Sequence, residues 1–176
     1  QTCALPILED LLTALACNAR GETNEADKRR SRALNAITDV RGRWNGGEFD
    51  WISDSDSRTG PVAELVMGGV YIWLPISQIH SLDSSSPTRL TDLLWKPVNI
   101  TLVNGDSHGA WLFTRYSGSE HAADALRLCR ETAWQDGPGE TIVQAFGQKV
   151  WLTSHGDISL LDLTHCTFAI QKESAA

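Results

Sequence analysis

Residues 44–75 read WNGGEFDWISDSDSRTGPVAELVMGGVYIWLP and hold three tryptophans, two Gly-Gly pairs and an acidic turn. Phe49, Trp51 and Ile52 are followed by turn formers from Ser53 to Gly60. There the short polar side chains of Asp54, Ser55, Asp56 and Ser57 can bond their own backbone and hold a tight loop. Val62 to Met67 and Val70 to Leu74 flank Gly68-Gly69, a two-residue connection of the kind that needs positive φ at both central positions. The run therefore predicts a β-sheet whose first hairpin is set here.

Upstream, Leu8, Leu11, Leu12, Leu15 and Ala19 recur at helical spacing, and Gly21 stands where a glycine ends a helix. Thr23 or Asn24 can cap a second helix. Its buried face would be Ala26, Ala33, Leu34, Ile37 and Val40, with Arg29, Arg30 and Arg32 turned to water beside Lys28. Two helices cannot bury both faces alone, so the hairpin, residues 8–43, is expected to lean on the β region. Residues 1–7 look like the translation of a sequencing adapter and are expected to be a non-native start, with further chain upstream of it in the natural protein.

Downstream, Ile76 to Leu82 reads as a third strand and Thr88 to Trp95 as a short helix or turn with Leu90, Leu93 and Leu94 inward, stopped by Pro97. Asn99 to Tyr116 is a second hairpin turning at Asn104-Gly105, and Glu120 to Arg130 is helical. Gly137-Pro138-Gly139 breaks the chain, and strands 142–153 and 158–163 follow. The expected fold is α+β: a helical hairpin, then a mostly antiparallel, barrel-like β domain over 44–170 with about seven strands and two or three short helices, then a polar tail, 171–176.

Several blocks resemble a known family. They are Gly-Glu-Phe-Asp-Trp-Ile from Gly47, Asp-Ser-Asp-Ser-Arg from Asp54, Gly60-Pro61-Val62, and Tyr71-Ile72-Trp73-Leu74-Pro75. Further on come Asp92-Leu93-Leu94-Trp95-Lys96-Pro97, Thr114-Arg115-Tyr116-Ser117-Gly118-Ser119-Glu120, Arg127 to Trp134, and Gly147-Gln148-Lys149. In this order they are similar to the ImpE/TagJ/SciE family of accessory proteins encoded with bacterial type VI secretion systems. Ser117 stands in place of the usual Pro, Thr59 of a Leu and Gln78 of a frequent Arg. The resemblance implies that the helical hairpin is the last pair of a TPR-like array. It also implies a cytoplasmic, non-catalytic adaptor whose partners are the contractile-sheath small subunit and the ClpV-type AAA+ ATPase.

The 176 residues suit one domain with a sizeable core, and 41% hydrophobic with 21% charged residues is a globular composition. A net charge of −7 opposes nucleic-acid binding. No apolar run is long enough to span a membrane, and the start lacks the basic region of a secretory signal. Cysteines 3, 17, 129 and 166 show no paired spacing, which fits a reducing compartment, taken as the cytoplasm.

Gly105-Asp106-Ser107-His108-Gly109 spells a hydrolase nucleophile elbow, but that elbow leads from strand into helix and Ala110 to Tyr116 reads as strand. Asp54 and Asp56, with Asp50 and Glu64 nearby, can supply oxygens to a cation or a carboxylate pair for glycoside chemistry. Arg58 and Thr59 depart from a calcium loop, and we read a structural turn of Asx bonds with Arg58 neutralising the carboxylates. The five histidines, His80, His108, His121, His155 and His165, lack ligand spacing, and no P-loop is present, so no metal or cofactor is expected. Arg115 beside Tyr116 can clamp a carboxylate or close an internal salt bridge to Asp54 or Asp56, the reading we prefer.

Most of the seven tryptophans lie in strands and are expected in the core. Trp44 and Trp134 are expected outside, where aromatics anchor partners. The candidate interaction surface is Trp44, Arg58, Arg115, Tyr116 and Trp134. The competing reading is a metal-dependent hydrolase built on Asp50, Asp54, Asp56 and Arg115, which requires those carboxylates to converge in one open cleft.

Overall fold

The computed structural model describes residues 4–35, 40–45 and 47–169. Ile37, Cys3 and the tail 171–176 lie outside them. Helices α1 (Ala4–Ala19) and α2 (Thr23–Asn35) form the expected hairpin. Its inward stripe is Ile7, Leu11, Ala14 and Cys17, whereas Leu12 is 56% exposed and Ala19 is also outside. Asp10 of α1 pairs with Arg29 and Arg32 of α2. Arg30 is buried rather than wet, because α2 presents it to the β domain and not to solvent.

Short strands β1 (Gly42–Trp44), β2 (Gly47–Phe49) and β3 (Ile52–Asp54) lead into the Asp54–Gly60 turn. The predicted hairpin follows as β4 (Val62–Met67) and β5 (Val70–Pro75), with Gly68 and Gly69 at φ 59 and 80. Next come β6 (Ile79–Ser84), β7 (Trp95–Leu102) and β8 (Ser107–Phe113). One helical turn, α3 (Asp124–Arg127), precedes β9 (Thr132–Asp136) and β10 (Val143–Gly147). The chain ends in β11 (Val150–Thr153), β12 (Gly156–Ser159) and β13 (His165–Phe168).

Three antiparallel sheets result, of eight, two and three strands. The large sheet runs β2-β1-β13-β6-β7-β8-β4-β5. It is open, with β2 and β5 at its two ends, so the described residues close no barrel. Its inner face meets the β12-β11-β3 sheet in one core, where Trp151, Ile158 and Ile52 join Leu65, Ile100 and Leu112.

Alternation decides what faces out. Along β7, Lys96, Val98 and Ile100 are buried while Trp95, Pro97 and Asn99 are exposed, the period-two pattern of a strand with one wet face. That pattern overturns the expectation that most tryptophans are core. Trp51, Trp95 and Trp111 are 40–49% exposed and Trp151 is the one buried to 1% among the described residues, while Trp134, expected outside, is 50% exposed.

Pro97 lies inside β7 instead of stopping a helix. Pro97 stands opposite Trp111 of β8, but pairing with β6 begins only at Val98, opposite Ser84, so on the β6 side the N–H that proline lacks has no strand partner. Leu90, expected inside, is 85% exposed on a short 3-10 turn, Leu90–Leu93. The helix expected over 120–130 shrinks to α3 because Ala122 and Ala123 are extended and Cys129 is left-handed at φ 56. Strands β9 and β13 have no counterpart in the sequence reading; each is short and pairs with a segment distant in sequence or across a polar loop.

The hairpin leans on the β domain in two places. Ile7, Leu11 and Ala33 pack on Val62, with Leu8 and Trp73 around them. Asp27 accepts bonds from the Thr141 hydroxyl at 2.6 Å and the Glu140 N–H at 2.9 Å, while Arg30 donates to Thr141 Oγ1 at 2.8 Å. The Thr141 hydroxyl, and then the two backbone amides, hold the Asp27 carboxyl below its ordinary value of 3.8. A carboxyl depressed by folding stabilises the fold above its unfolded pKa, and that contribution is lost as pH falls through the folded value. Acidification below about pH 3.8 is therefore expected to loosen α2 from the 139–141 loop before the sheets melt. Hydrogen exchange in α2 checks this, and Asp27→Asn should reproduce the loosened state at neutral pH; unchanged α2 protection would refute it.

Candidate functional site

The acidic turn is a knot of Asx bonds, as its residue types predict. Asp54 Oδ1 accepts the Asp56 N–H at 2.9 Å, and Asp56 Oδ1 accepts the Arg58 N–H at 2.9 Å. Asp54 and Asp56 are buried, with side chains 1% and 2% exposed. Arg58 folds back on Asp56, its Nε 2.9 Å from Oδ1.

The turn is also the junction of the three sheets. Asp56 Oδ2 accepts the Ala145 N–H of β10 at 3.0 Å, the Ser57 hydroxyl accepts the Val143 N–H at 2.8 Å, and the Ser55 N–H donates to Val150 O at 3.0 Å. Buried Tyr116 closes the knot: its hydroxyl donates to Asp54 Oδ1 at 2.7 Å and accepts the Val150 N–H at 3.1 Å. Burial, and then the Asp54 charge, push its phenol far above the ordinary range.

The decisive cation is one the sequence reading treats only as part of a motif. Lys149 Nζ sits between Asp54 Oδ2 at 2.8 Å and Glu64 Oε2 at 2.7 Å, 4.6 Å from the Tyr116 ring centroid. Burial works against its charge, but the two carboxylates outweigh it and raise its pKa. Glu64 is likewise held below its ordinary value, the Lys149 ammonium overcoming the cost of burial. Burial pushes Asp54 up despite Lys149. A charged residue directly before the apolar residues Val150, Trp151 and Leu152 was the available signal for Lys149.

The same oversight covers Lys96. Buried between exposed Trp95 and Pro97, it donates to Leu160 O at 3.1 Å, Leu161 O at 2.7 Å and Leu163 O at 2.6 Å, pinning that turn under the sheet.

Arg115 does not reach Asp54 or Asp56. Past the end of β8, where Arg115 makes an isolated bridge to Gln148, Tyr116 turns inward and Arg115 the other way, and Arg115 Nη1 donates to Arg127 O at 3.0 Å. Lys149 and Arg58 take the role expected of it. Tyr116 is 2% exposed and is not on the surface, and Trp44 is half-buried against the main core. Trp134 is 50% exposed, anchored by its Nε1–H to Ser55 Oγ at 3.0 Å.

Asp50 stands apart and exposed, 3.7 Å from Arg41. The four residues of the hydrolase reading thus do not share a cleft, and each oxygen of Asp54 and Asp56 already has a protein donor. Ser107 of the Gly105–Gly109 motif lies in β8, bonded to Thr101 at 3.0 Å, with no helix after it. A cleft of about 230 Å³ opens above the knot between Leu15, Trp73, Tyr71 and Arg58. Tyr71 donates to Glu64 there, and burial, with that bond, pushes its phenol up to about 12. Among the described residues no group of three or more His, Cys, Asp or Glu side chains is placed to hold a metal. Cys17, Cys129 and Cys166 are separate buried thiols.

A second feature lies on the outer face of the large sheet. Register places Trp111 opposite Pro97 and Val66, and Val66 opposite Tyr71. Trp95 pairs with Phe113, which meets Tyr71 edge-on at 5.6 Å. A row of exposed Trp95, Trp111 and Tyr71, bridged by half-buried Phe113 and Val66, therefore crosses β7, β8, β4 and β5.

Fold and site together define an α+β protein in which a buried ionic knot joins three sheets and leaves an aromatic face to solvent. The ImpE protein family model matches residues 46–167, and the chain belongs to that family. It is 40% identical over 159 residues to the type VI secretion system accessory component TagJ of Pseudomonas aeruginosa. The match covers 90% of this chain and 55% of TagJ, so the chain spans about half the length of that relative. In fold it is similar to the crystal structure of protein VPA1032 from Vibrio parahaemolyticus. The TM-score is 0.86 at 24% identity, covering 98% of this chain and 64% of that one. No helix among the described residues is long and apolar enough to cross a membrane.

Proposed function

We propose that this protein is a non-catalytic accessory component of a bacterial type VI secretion system, acting in the cytoplasm as an adaptor. Its partners in this reading are the contractile-sheath small subunit, the ClpV-type AAA+ ATPase, or both. The observation that carries it is the aromatic row of Tyr71, Trp95 and Trp111 on the outer sheet face, 47–54% exposed. Exposed contiguous aromatics mark protein-binding surfaces. The charged groups of the turn, meanwhile, are consumed inside the fold, and the name of the TagJ relative points the same way. The α1–α2 pair is, on this reading, a TPR-like unit, and Trp44, Arg115 and Trp134 are further contact candidates outside the row.

Calorimetric titration against the purified sheath subunit and the ATPase N-terminal domain tests this. Saturable binding to at least one is expected, and Trp111→Ala or Trp134→Ala should weaken it about tenfold, the effect of a moderate hot spot, with the melting temperature as control. Silence from both partners would sink the reading.

A further inference from the structure

The two ends of the large sheet are unlike. At one end β2 has three residues, and its Glu48 is paired with Arg43 of β1. Short, charged edges of this kind discourage pairing. At the other end β5 has six residues, Val70–Pro75, and no charged residue stands anywhere from Gly68 to Ile79. Val70 is 60% and Tyr71 54% exposed.

Backbone bonding along β5 follows from its turn. A two-residue connection makes the flanking Met67 and Val70 a hydrogen-bonded pair. Val70, Ile72 and Leu74 therefore turn N–H and C=O toward β4, and Tyr71 and Trp73 turn theirs away from the sheet. Among the described residues, no backbone bond outside the ladders uses Tyr71 or Trp73.

We infer that the β5 edge pairs antiparallel with β5 of a second copy of this chain, about a twofold axis at Ile72. In that register Tyr71 stands opposite the second copy's Trp73 and Trp73 opposite its Tyr71. Each pair exchanges two N–H···O bonds, so the outward donors and acceptors of Tyr71 and Trp73 are all matched, and Pro75, which has no N–H, ends the seam. Any extended strand offers that backbone pattern, and a second copy adds matching side chains, setting Tyr71 against Trp73 as cross-strand aromatic pairs on an uncharged edge. Charge fits the same occupant locally, because no like charges meet along an uncharged edge. The net charge of −7 on each copy opposes approach only at long range, where salt screens it. The large sheets would join into one, with the aromatic rows of the two copies continuous across the seam.

Sedimentation and hydrogen exchange on the unmodified chain test this. The mass should double with rising concentration, more readily at higher ionic strength, and the Tyr71 and Trp73 amides should become protected in step with it. Tyr71→Pro removes one outward N–H without touching the β4 ladder and should leave a monomer; Tyr71→Phe, which keeps that N–H, should still dimerise. If Tyr71→Pro fails to fold, Val70→Lys, which puts a charge on the edge, should likewise give a monomer. A chain that stays monomeric with freely exchanging Tyr71 and Trp73 amides overturns the inference and leaves the edge to a foreign strand. A dimer that survives in the folded edge variants overturns it too.

Discussion

Lys149→Met is expected to lower folding stability by about 3–5 kcal/mol, the cost of leaving buried carboxylates without their cation. Asp54 and Glu64 both lie within 2.8 Å of Nζ, and neither has another cation in bonding distance among the described residues. A domain of this size is stable by about 5–15 kcal/mol in total, so the variant is near the limit of folding. The measurement is the denaturant midpoint at unchanged slope. Adding Asp54→Asn should recover part of the loss, with a coupling of about 1–3 kcal/mol between the two sites. The raised Lys149 pKa gives the pH sign: its contribution is complete below the unfolded value of 10.5 and is lost only as pH rises through the folded one. A cost under about 1 kcal/mol would mean that the knot is solvated and contributes little.

Gly147→Ala should cost about 2–5 kcal/mol, the sum of a left-handed backbone and overpacking. Gly147 has φ 88, and an added Cβ would lie 2.1 Å from the Glu131 carbonyl oxygen, which is backbone and cannot swing aside. Its N–H donates to Ser119 Oγ at 2.7 Å and its C=O accepts the Tyr116 N–H at 2.9 Å. Any shift there moves Tyr116 and Lys149 together. Gly68→Ala is the control, since φ is 59 but nothing lies within 4 Å of the added carbon; it should cost only about 1–2 kcal/mol. Equal losses at the two positions would show that backbone conformation alone matters and that the close approach to Glu131 does not.

The two variants separate kinds of information. Gly147-Gln148-Lys149 is recognisable as a block in the sequence, and so are the turn at Asp54 and the hairpin at Gly68-Gly69. Each acts through its own backbone or the next few residues, by Asx bonds or a required φ. Local rules of that kind are written in consecutive residue types, which is why the β4–β5 and β7–β8 hairpins, the α1–α2 pair and the Asx knot are legible in the chain. Family membership rests on the same blocks, in their order.

The partners of the charged groups are not legible in this way. Arg115 and Lys149 are both basic residues near strand ends, and only the register of β11 beside β3, with Trp151 opposite Asp54, shows that Lys149 meets the turn. Arg30 looks like its neighbours Arg29 and Arg32 until the docking of α2 buries it against Thr141. Trp95 and Trp111 look like core until the β7–β8 part of the large sheet proves to be covered on one face only. Residue type and local spacing determined where the chain turns, which segments extend and which family it belongs to. Tertiary packing decided which ionisable groups lose water and which aromatics keep it, because desolvation depends on what another part of the chain, tens of residues away, lays over each side chain.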